Sequence, residues 1–563
     1  MKVGIDFGTS TSEIAYVESN GNITVIPNHL GEVITPSVVY YADDGTVKVG
    51  LEAKEQALLE PENTVLEVKR LFGSTKKLNI RGRELTPVQV AADIIRYLRD
   101  CAQKHTGTDI NSAVVTVPAY FSDNQRKEVM AAGFAAGLEV DRIINEPTSA
   151  SLDYGVKNMQ NCEHILVYDL GGGTLDVSVL ELFEGVVEVK SSSGNNALGG
   201  KDFDQAIINH ISSAIKNKDK IDVLKDPRAA IRIKIAAETC KIALSTKTEY
   251  EIELPFLYTK KDNPAGYQEV FKRELFEDLI ADMVGSTKEQ IESALYDAKL
   301  EPSEIDLVLL VGGSSHIPYV TNFLSKIFGS IPRIADNADL AVVRGAAIQA
   351  GVIDGVLNEN AIALTDVCPY SLSTDVLVGE GFFGQVICDV LIPRNTTLPT
   401  EVSKMYATSG DDQTSVGVMA YQGESSQPEE NILLNSFTLG NIPKGRAGKE
   451  TINVTFAYDL NGILTISAEV VSTGKSTTVT VDTTAAGENL DLALWKKSPL
   501  AKIYRKLINK GERLLKLHNE GDYDTLDIER FLDELKRSLI LEWDEDTIGH
   551  IADNLSFSIE EFE

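Results

Sequence analysis

Val3-Gly4-Ile5-Asp6-Phe7-Gly8-Thr9-Ser10-Thr11-Ser12-Glu13-Ile14-Ala15-Tyr16-Val17 opens with apolar residues at 3, 5 and 7, a glycine–hydroxyl turn and a second apolar run. The alternation predicts two strands joined as a β-hairpin. The construction returns where Ile165-Leu166-Val167-Tyr168 meets Asp169-Leu170-Gly171-Gly172-Gly173-Thr174 and resumes as Val177-Ser178-Val179-Leu180. Two hairpins that each end a strand on an aspartate before a glycine–threonine turn read as a divergent internal repeat. A strand-to-helix join stands at Leu307-Val308-Leu309-Leu310-Val311, followed by Gly312-Gly313-Ser314-Ser315. Its earlier counterpart is Ala113-Val114-Val115-Thr116-Val117-Pro118, where Ser122 and Gln125 have capping-box spacing before a helix through Ala136. Residues 1–357 therefore predict an α/β domain of two comparable lobes.

Beyond it the pattern changes. Residues 358–367 are short, partly apolar and lead into Pro369, as an interdomain linker would. Residues 368–484 are dominated by period-two alternation, as in Thr451-Ile452-Asn453-Val454-Thr455-Phe456 and Ile463-Leu464-Thr465-Ile466, with Asp459-Leu460-Asn461-Gly462 supplying the turn. This predicts a compact β domain. In residues 485–563, Leu500, Ile503, Tyr504, Leu507, Ile508, Leu514 and Leu515 fall on one helical face, as do Ile528, Phe531, Leu532, Leu535 and Leu539, giving a small helical module.

At 563 residues the chain is too long for one core. A formal charge of −31 argues against nonspecific binding to nucleic acid or anionic membrane, because either target would be repelled. Five cysteines without CxxC spacing read as ordinary thiols. Asp6 interrupts the apolar run a signal peptide would need, and nothing approaches the length of a spanning helix, so a cytoplasmic protein is expected.

Two aspartate–glycine–threonine turns in matching hairpins carry the chemistry. Glycine-turn N–H groups can approach phosphate oxygens, threonine hydroxyls add donors, and Asp6 and Asp169 can orient water around Mg²⁺. Gly312-Gly313, between a strand and a helix N-terminus, offers a third approach for phosphate or ribose.

Gly4-Ile5-Asp6-Phe7-Gly8-Thr9, Asp169-Leu170-Gly171-Gly172-Gly173-Thr174-Leu175-Asp176-Val177-Ser178 and Leu310-Val311-Gly312-Gly313-Ser314 resemble the phosphate and adenosine motifs of DnaK-type heat-shock chaperones. Asn63-Thr64-Val65-Leu66-Glu67-Val68-Lys69-Arg70-Leu71, Val117-Pro118-Ala119-Tyr120-Phe121-Ser122-Asp123 and Ile144-Asn145-Glu146-Pro147-Thr148 are similar in order and spacing. So are Asp366-Val367-Cys368-Pro369-Tyr370-Ser371-Leu372, Arg394-Asn395-Thr396-Thr397-Leu398-Pro399 and Tyr421-Gln422-Gly423-Glu424. The resemblance implies an actin-like ATPase domain of two lobes, a β-sandwich peptide-binding domain and a helical lid. It also implies ATP hydrolysis coupled to binding of extended apolar segments of unfolded client polypeptides.

Carried over by residue, it assigns hydrolysis to Lys69, Glu146, Asp169 and Thr174, with Mg²⁺ held through water by Asp6 and Asp169. ATP or ADP would be held by Asp6, Gly8, Thr9, Ser10, Thr11, Gly171, Gly172, Gly173, Gly199, Gly200, Glu238, Lys241, Ser245, Gly312, Gly313, Ser314, His316 and Asp339. Pro118, Arg126, Ile362 and Leu364 would relay nucleotide state, and Arg142 matches an arginine that docks J-domain co-chaperones. A nucleotide exchange factor is a further implied partner. Ser409, Val416 and Val418 match the peptide site, Val416 and Val418 sharing one strand face; ordinary sandwich core is the alternative.

Three departures stand out. Ile242 and His316 replace two arginines that pack on adenine in the family, so weaker nucleotide affinity and faster exchange are expected. Lys201 replaces a glutamate. Extra residues around Gly379-Glu380-Gly381-Phe382-Phe383-Gly384 and a short tail are most similar to the bacterial HscC branch. An actin-like filament protein or sugar kinase remains the rival that shares the ATPase fold, and an ATP-binding protein with decayed turnover is a second.

Overall fold

The computed structural model describes residues 1–74, 76–158, 163–183, 186–335, 337–357, 363–379, 385–480 and 500–517, with Ile528, Leu532, Leu535, Lys536, Ala552, Leu555, Ser556 and Ile559. Its architecture is mixed α/β followed by a β-rich part and helix.

Both expected hairpins form. Lys2–Phe7 pairs antiparallel with Thr11–Val17, and Glu163–Leu170 pairs antiparallel with Leu175–Phe183. Each is embedded in a sheet of the same pattern. In the first, Glu139–Asn145 and Ser112–Val117 lie parallel to Lys2–Phe7, with Thr11–Val17 and Ile23–Val25 continuing antiparallel. In the second, Arg333–Ile334 and Leu307–Val311 lie parallel to Glu163–Leu170, with Leu175–Phe183 and Val186–Asn195 antiparallel. The repeat read from two motifs is thus a repeat of five-strand topology.

The strand-to-helix joins also appear. Ser122 caps the helix Asp123–Ala135 with Gln125 reciprocating, and Leu307–Val311 leads through a short 3₁₀ turn into Pro318–Phe328. Each sheet buries an aliphatic core against its helices, through Ile5, Ile94 and Val115 in the first lobe and Leu166, Phe203 and Leu310 in the second.

Helices Glu146–Lys157 and Ala341–Ile353 cross between the lobes at very short range. A Cβ at Gly345 would fall 1.7 Å from the Ser149 carbonyl oxygen, and one at Gly4 would fall 2.2 Å from the Ala347 backbone nitrogen. Only hydrogen fits at these crossings, so helix Ala341–Ile353 lies directly on the strand that carries Asp6.

The β-rich part has two four-stranded antiparallel sheets. One comprises Gln385–Ile392, Leu372–Val378, Ser415–Gln422 and Ile432–Gly440; the other comprises Thr400–Ala407, Thr451–Tyr458, Leu464–Val470 and Lys475–Thr480. Ile452, Val454, Phe456 and Tyr458 alternate inward, and the turn closes at Gly462 with φ 72°.

Of the segment read as a linker, residues 358–362 lie outside the described residues and residues 363–367 form a strand. Ala363–Val367 pairs parallel with Val186–Glu188 as the next strand of the second lobe's sheet, then antiparallel with Thr397–Leu398 of the β-rich part. Backbone hydrogen bonding explains this: an extended run beside an open sheet edge satisfies donors and acceptors that a free linker would leave to water.

Ala501–Leu517 is helical and packs Ala501, Tyr504, Leu507, Ile508, Leu514 and Leu515 against Ile528, Leu532, Leu535, Ala552, Leu555 and Ile559. Ile503 departs from the expected face and is 66% exposed. Phe531, Leu539, residues 485–499 and the inserted residues 380–384 lie outside the described residues.

Ala is ordinarily better than Gly inside a helix by about 1 kcal/mol. Gly345→Ala should nevertheless lower thermal stability, by on the order of 2 kcal/mol, because the added methyl has no room against Ser149. Thermal denaturation of the intact protein measures it.

Candidate functional site

Strand register turns each hairpin into a pair of acids. Asp6 stands opposite Glu13, and Asp169 stands opposite Asp176. Glu13, Asp169 and Asp176 are buried as side chains of sheet interiors. Into this floor the 3₁₀ turn Val68–Leu71 delivers Lys69, 3% exposed, whose Nζ lies 2.6 Å from Glu146 Oε1 at the start of helix Glu146–Lys157. The rings of Phe7 and Phe121 flank the ammonium at 5.7 and 5.4 Å, and the Thr116 hydroxyl donates to Asp6 at 2.7 Å.

The acids outnumber the cation. Burial, then Glu146, pushes Asp6 up to about 7 against the opposing pull of Lys69 and Thr116. Burial and Glu146 likewise push Asp176 up to about 7. Asp169 is raised well above the carboxylate range by burial, Glu146, Asp176 and Asp6, and Glu13 by burial and Asp6. Glu13 Oε1 and Asp176 Oδ2 are buried without a hydrogen-bond partner. This donor set is all oxygen and short of cations, so its acids are held toward the protonated form and a hard divalent cation would favour their ionisation.

Above the floor the glycine turns touch. A Cβ on Gly172 would lie 2.2 Å from Ser10 Oγ, so the turns of the two lobes meet where Gly172 has no side chain, and a Cβ on Gly199 would lie 2.5 Å from the Gly173 nitrogen within the second lobe. Gly200 N–H donates to the Gly171 carbonyl at 2.9 Å, Lys201 N–H to the Gly172 carbonyl at 2.8 Å, and Ser314 Oγ to the Gly171 carbonyl at 2.9 Å. Gly8, Thr9, Ser10, Thr11 and Gly171 to Thr174 are thereby brought together with Gly199, Gly200 and Ser314. Gly312, with φ 78°, turns the chain beside Asp169, and Gly313 lies beside Asp339.

Helix Pro227–Thr246 supplies Glu238, Lys241 and Ser245. Lys241 Nζ is 2.9 Å from Asp204 and donates to the Gly200 carbonyl at 3.0 Å, while the Ser245 hydroxyl bonds its own helix at the Lys241 carbonyl. Ile242 is 62% exposed. His316 and Asp339 are exposed, 3.9 Å apart.

A small pocket at the cleft is lined by Thr9, Ser10, Lys54, Glu67, Lys201, Lys234 and Glu238, among others. Its charges alternate in a chain: Lys54 to Glu238 at 2.6 Å, Glu238 to Lys201 at 2.7 Å, Lys201 to Glu67 at 3.9 Å, and Glu67 to Lys234 at 2.6 Å. Burial alone would raise Glu238, but Lys201 and Lys54 bring it down to about 2. Lys201, the residue that departs from the resembled pattern, faces Glu67, Asp204 and Glu238 together.

Sequence reasoning passed over Glu13 and Asp176 as site residues. Their signal was available: each follows its strand-end aspartate by the same seven residues, 6 to 13 and 169 to 176. Lys54, Glu67 and Lys234 had none, being joined only by the closure of the lobes.

The coupling residues converge elsewhere. Pro118 is buried at the end of Ser112–Val117. Arg126 is on a helix and only 4% exposed. It donates to the Ala119 carbonyl at 2.9 Å and to Asn145 Oδ1 at 2.7 Å, and Asn145 Nδ2 donates to Asp366 Oδ1 at 2.8 Å on the joining strand. Arg142 lies on Glu139–Asn145, its guanidinium Nε buried without a hydrogen-bond partner and its pKa lowered by burial despite Asp366. Leu364 packs against the core between the lobes. Ile362 lies outside the described residues.

The β-rich part docks on the same surface. Ile143 N–H donates to Asn461 Oδ1 at 3.0 Å, Ser192 N–H to Asn395 Oδ1 at 3.0 Å, and Arg394 pairs with Asp297 at 2.9 Å. Ser409 is exposed and bonded to Gln413; Val418 is 4% exposed in the sandwich core, with Val416 packed against it.

An acid-floored cleft between two sheets of one topology, tied by a strand to a β module, defines a two-lobed nucleotide-handling protein with an appended β-rich part. The sequence profile of the Hsp70 protein family matches residues 2–495. The chain is 41% identical to the DnaK chaperone of Thermotoga maritima over 535 residues, which is 94% of this chain and 88% of that protein. To the DnaK chaperone of Thermosipho melanesiensis it is 42% identical over 481 residues, 85% of this chain and 80% of that one. The chain belongs to the Hsp70 family, and is an ATP-dependent chaperone and an ATPase.

Lys201→Glu would set a fourth carboxylate against Glu67, Asp204 and Glu238. Release of a fluorescent ADP analogue, followed by stopped flow, should accelerate by about tenfold or more, and added salt should narrow the difference.

Proposed function

We propose that Lys69, Glu146, Asp169 and Thr174 form the hydrolytic site and that the β-rich part binds extended apolar segments of unfolded polypeptides. The observation that carries the reading is the Lys69 ammonium held at 2.6 Å from Glu146 within a buried, acid-rich floor beneath touching glycine turns. A charged lysine fixed there positions a water and the terminal phosphate without reorganising during the reaction. Glu146 orients the ammonium, and the two phenyl rings exclude bulk water from it.

Asp6 and Asp169 would hold Mg²⁺ through water; among the described residues no three acid, histidine or cysteine side chains form a direct metal site. When bound, the ion supplies charge neutralisation for the phosphates. The glycine turns cradle the phosphates with backbone N–H groups. Glu238, Lys241, Ser245, Gly312, Gly313, Ser314, His316 and Asp339 would surround the nucleoside. Exposed Ile242 and His316 in place of stacking arginines support weaker affinity and faster exchange.

Pro118, Arg126, Asn145, Asp366 and Leu364 would carry nucleotide state to the β-rich part through the shared strand. Arg142, with the neighbouring Asp366, would receive a J-domain co-chaperone, and an exchange factor would act on the cleft. Ser409, Val416 and Val418 would form the peptide site once the sandwich opens, because Val418 lies in its core here. The extra residues near Gly379 support placement in the HscC branch, and a bacterial cytoplasmic setting accords with relatives such as the Thermotoga chaperones. The units proposed are 1–357 for ATP, 358–367 for linkage, 368–484 for peptide and 485–563 for the lid.

Single-turnover ATP hydrolysis, with and without an extended apolar peptide, tests the reading. Lys69→Ala should slow hydrolysis by roughly a hundredfold or more while ATP still binds. Peptide should accelerate the native protein, and Asp366→Ala should keep basal hydrolysis while losing that acceleration. ATP binding without Lys69-dependent hydrolysis or peptide response would overturn it.

A further inference from the structure

Lys201 stands where the glycine turn of the second lobe meets the pocket at the cleft. Its own N–H donates to the Gly172 carbonyl at 2.8 Å, and the preceding Gly200 N–H donates to the Gly171 carbonyl at 2.9 Å. The backbone of Lys201 is therefore fastened to the turn that rests on Ser10. Its side chain, 10% exposed, lines one pocket together with Thr9 and Ser10. Burial alone would lower the pKa of this lysine, but Glu238 and Asp204 raise it, so the ammonium stays charged there.

Holding the lobes together does not account for Lys201. Two short ion pairs cross the cleft without it: Lys54 of the first lobe to Glu238 at 2.6 Å, and Glu67 of the first lobe to Lys234 at 2.6 Å. The short bond of Lys201, 2.7 Å to Glu238, stays within the second lobe. Its other acids are more distant and each is paired with another lysine. Asp204, at 3.7 Å, is 2.9 Å from Lys241, and Glu67, at 3.9 Å, is held by Lys234. Three lysines and two glutamates thus face the pocket, and Glu238 divides its two oxygens between Lys54 and Lys201. An anion is what such a set lacks.

We propose that Lys201 is a phosphate-binding residue: once the sugar of a nucleotide engages Glu238, the Lys201 ammonium passes from that carboxylate to the phosphates seated on the glycine turn. The inference rests on the nucleotide-site reading above, in which Glu238 borders the nucleoside. A sugar hydroxyl that donates to Glu238 competes for the oxygen that Lys201 holds in the empty cleft. A compact ammonium with three donors suits a phosphate as a point charge. Recognition is thereby weighted toward the phosphate end of the nucleotide, since Ile242 and His316 are exposed where the resembled pattern has stacking arginines.

Equilibrium binding of ADP and of adenosine to the intact chain, measured by calorimetry, tests the assignment. Lys201→Met should weaken ADP by about tenfold or more while changing adenosine by less than about twofold. Lys54→Met, which removes the other partner of Glu238 and leaves the glycine turn untouched, should shift both ligands by the same factor. Lys201→Arg should keep most of the native preference for ADP. Retained adenosine binding shows that the variant cleft is folded, and the same comparison in Lys201→Gln guards against a packing effect of the methionine. Phosphorus NMR of bound ADP gives a second reading, in which the β-phosphate signal should move in Lys201→Met and stay in place in Lys54→Met. A preference for ADP over adenosine that Lys201→Met and Lys201→Gln leave unchanged, or an unmoved phosphate signal, overturns the inference and leaves the nucleotide reading standing. If the native chain binds neither ligand, the nucleotide reading fails and this inference with it.

Discussion

The ion pair between Lys69 and Glu146 is the contact on which the cleft depends. Asp6, Glu13, Asp169 and Asp176 are drawn from the ends of two hairpins into one buried volume, where like charges raise one another and burial raises all of them. A single ammonium cannot offset that, and the floor is poised to accept further positive charge. Such a site resists closing on itself without a ligand. The shortage of cations among these oxygens is also what gives a cation with bound phosphate a reason to enter.

Closure is arranged by geometry and by charge on opposite sides of that floor. Beneath it, glycine and alanine let helices Glu146–Lys157 and Ala341–Ile353 cross against the strand of Asp6 with no slack. At the mouth, Lys54, Glu238, Lys201, Glu67 and Lys234 alternate across the gap. The crossing is packed and stiff; the mouth is electrostatic and responsive to salt. A cleft hinged at the packed side can therefore open at the charged one.

The strand Ala363–Val367 joins two sheets that would otherwise be independent. Its backbone belongs to the second lobe, while Asp366 reaches Asn145 of the first, which is held in turn by Arg126. Asn461 docks on Ile143 of the first lobe and Arg394 on Asp297 of the second, so the β-rich part contacts both lobes.

Local pattern sufficed for much of this. Apolar alternation around Asp6 and Asp169, the capping pair Ser122 and Gln125, and the turn at Gly462 are encoded within a few residues, so hairpins, helix starts and the β-rich segment were legible. Lys69, Glu146 and the glycine turns were legible as motifs. Other features depended on residues far apart in sequence. Ile503 shares the helical spacing of its neighbours but faces water, since the width of a buried face is set by what packs on it. Residues 363–367 read as a linker because a sheet edge that accepts them is built from residues 186–188. Val418 alternates as a pocket or a core residue would, and only the facing sheet places it in the core. The sequence by itself determined the elements and the chemistry each could carry. The tertiary structure alone decided which charges meet, because burial and pairing arise where separate strands and helices close on one another.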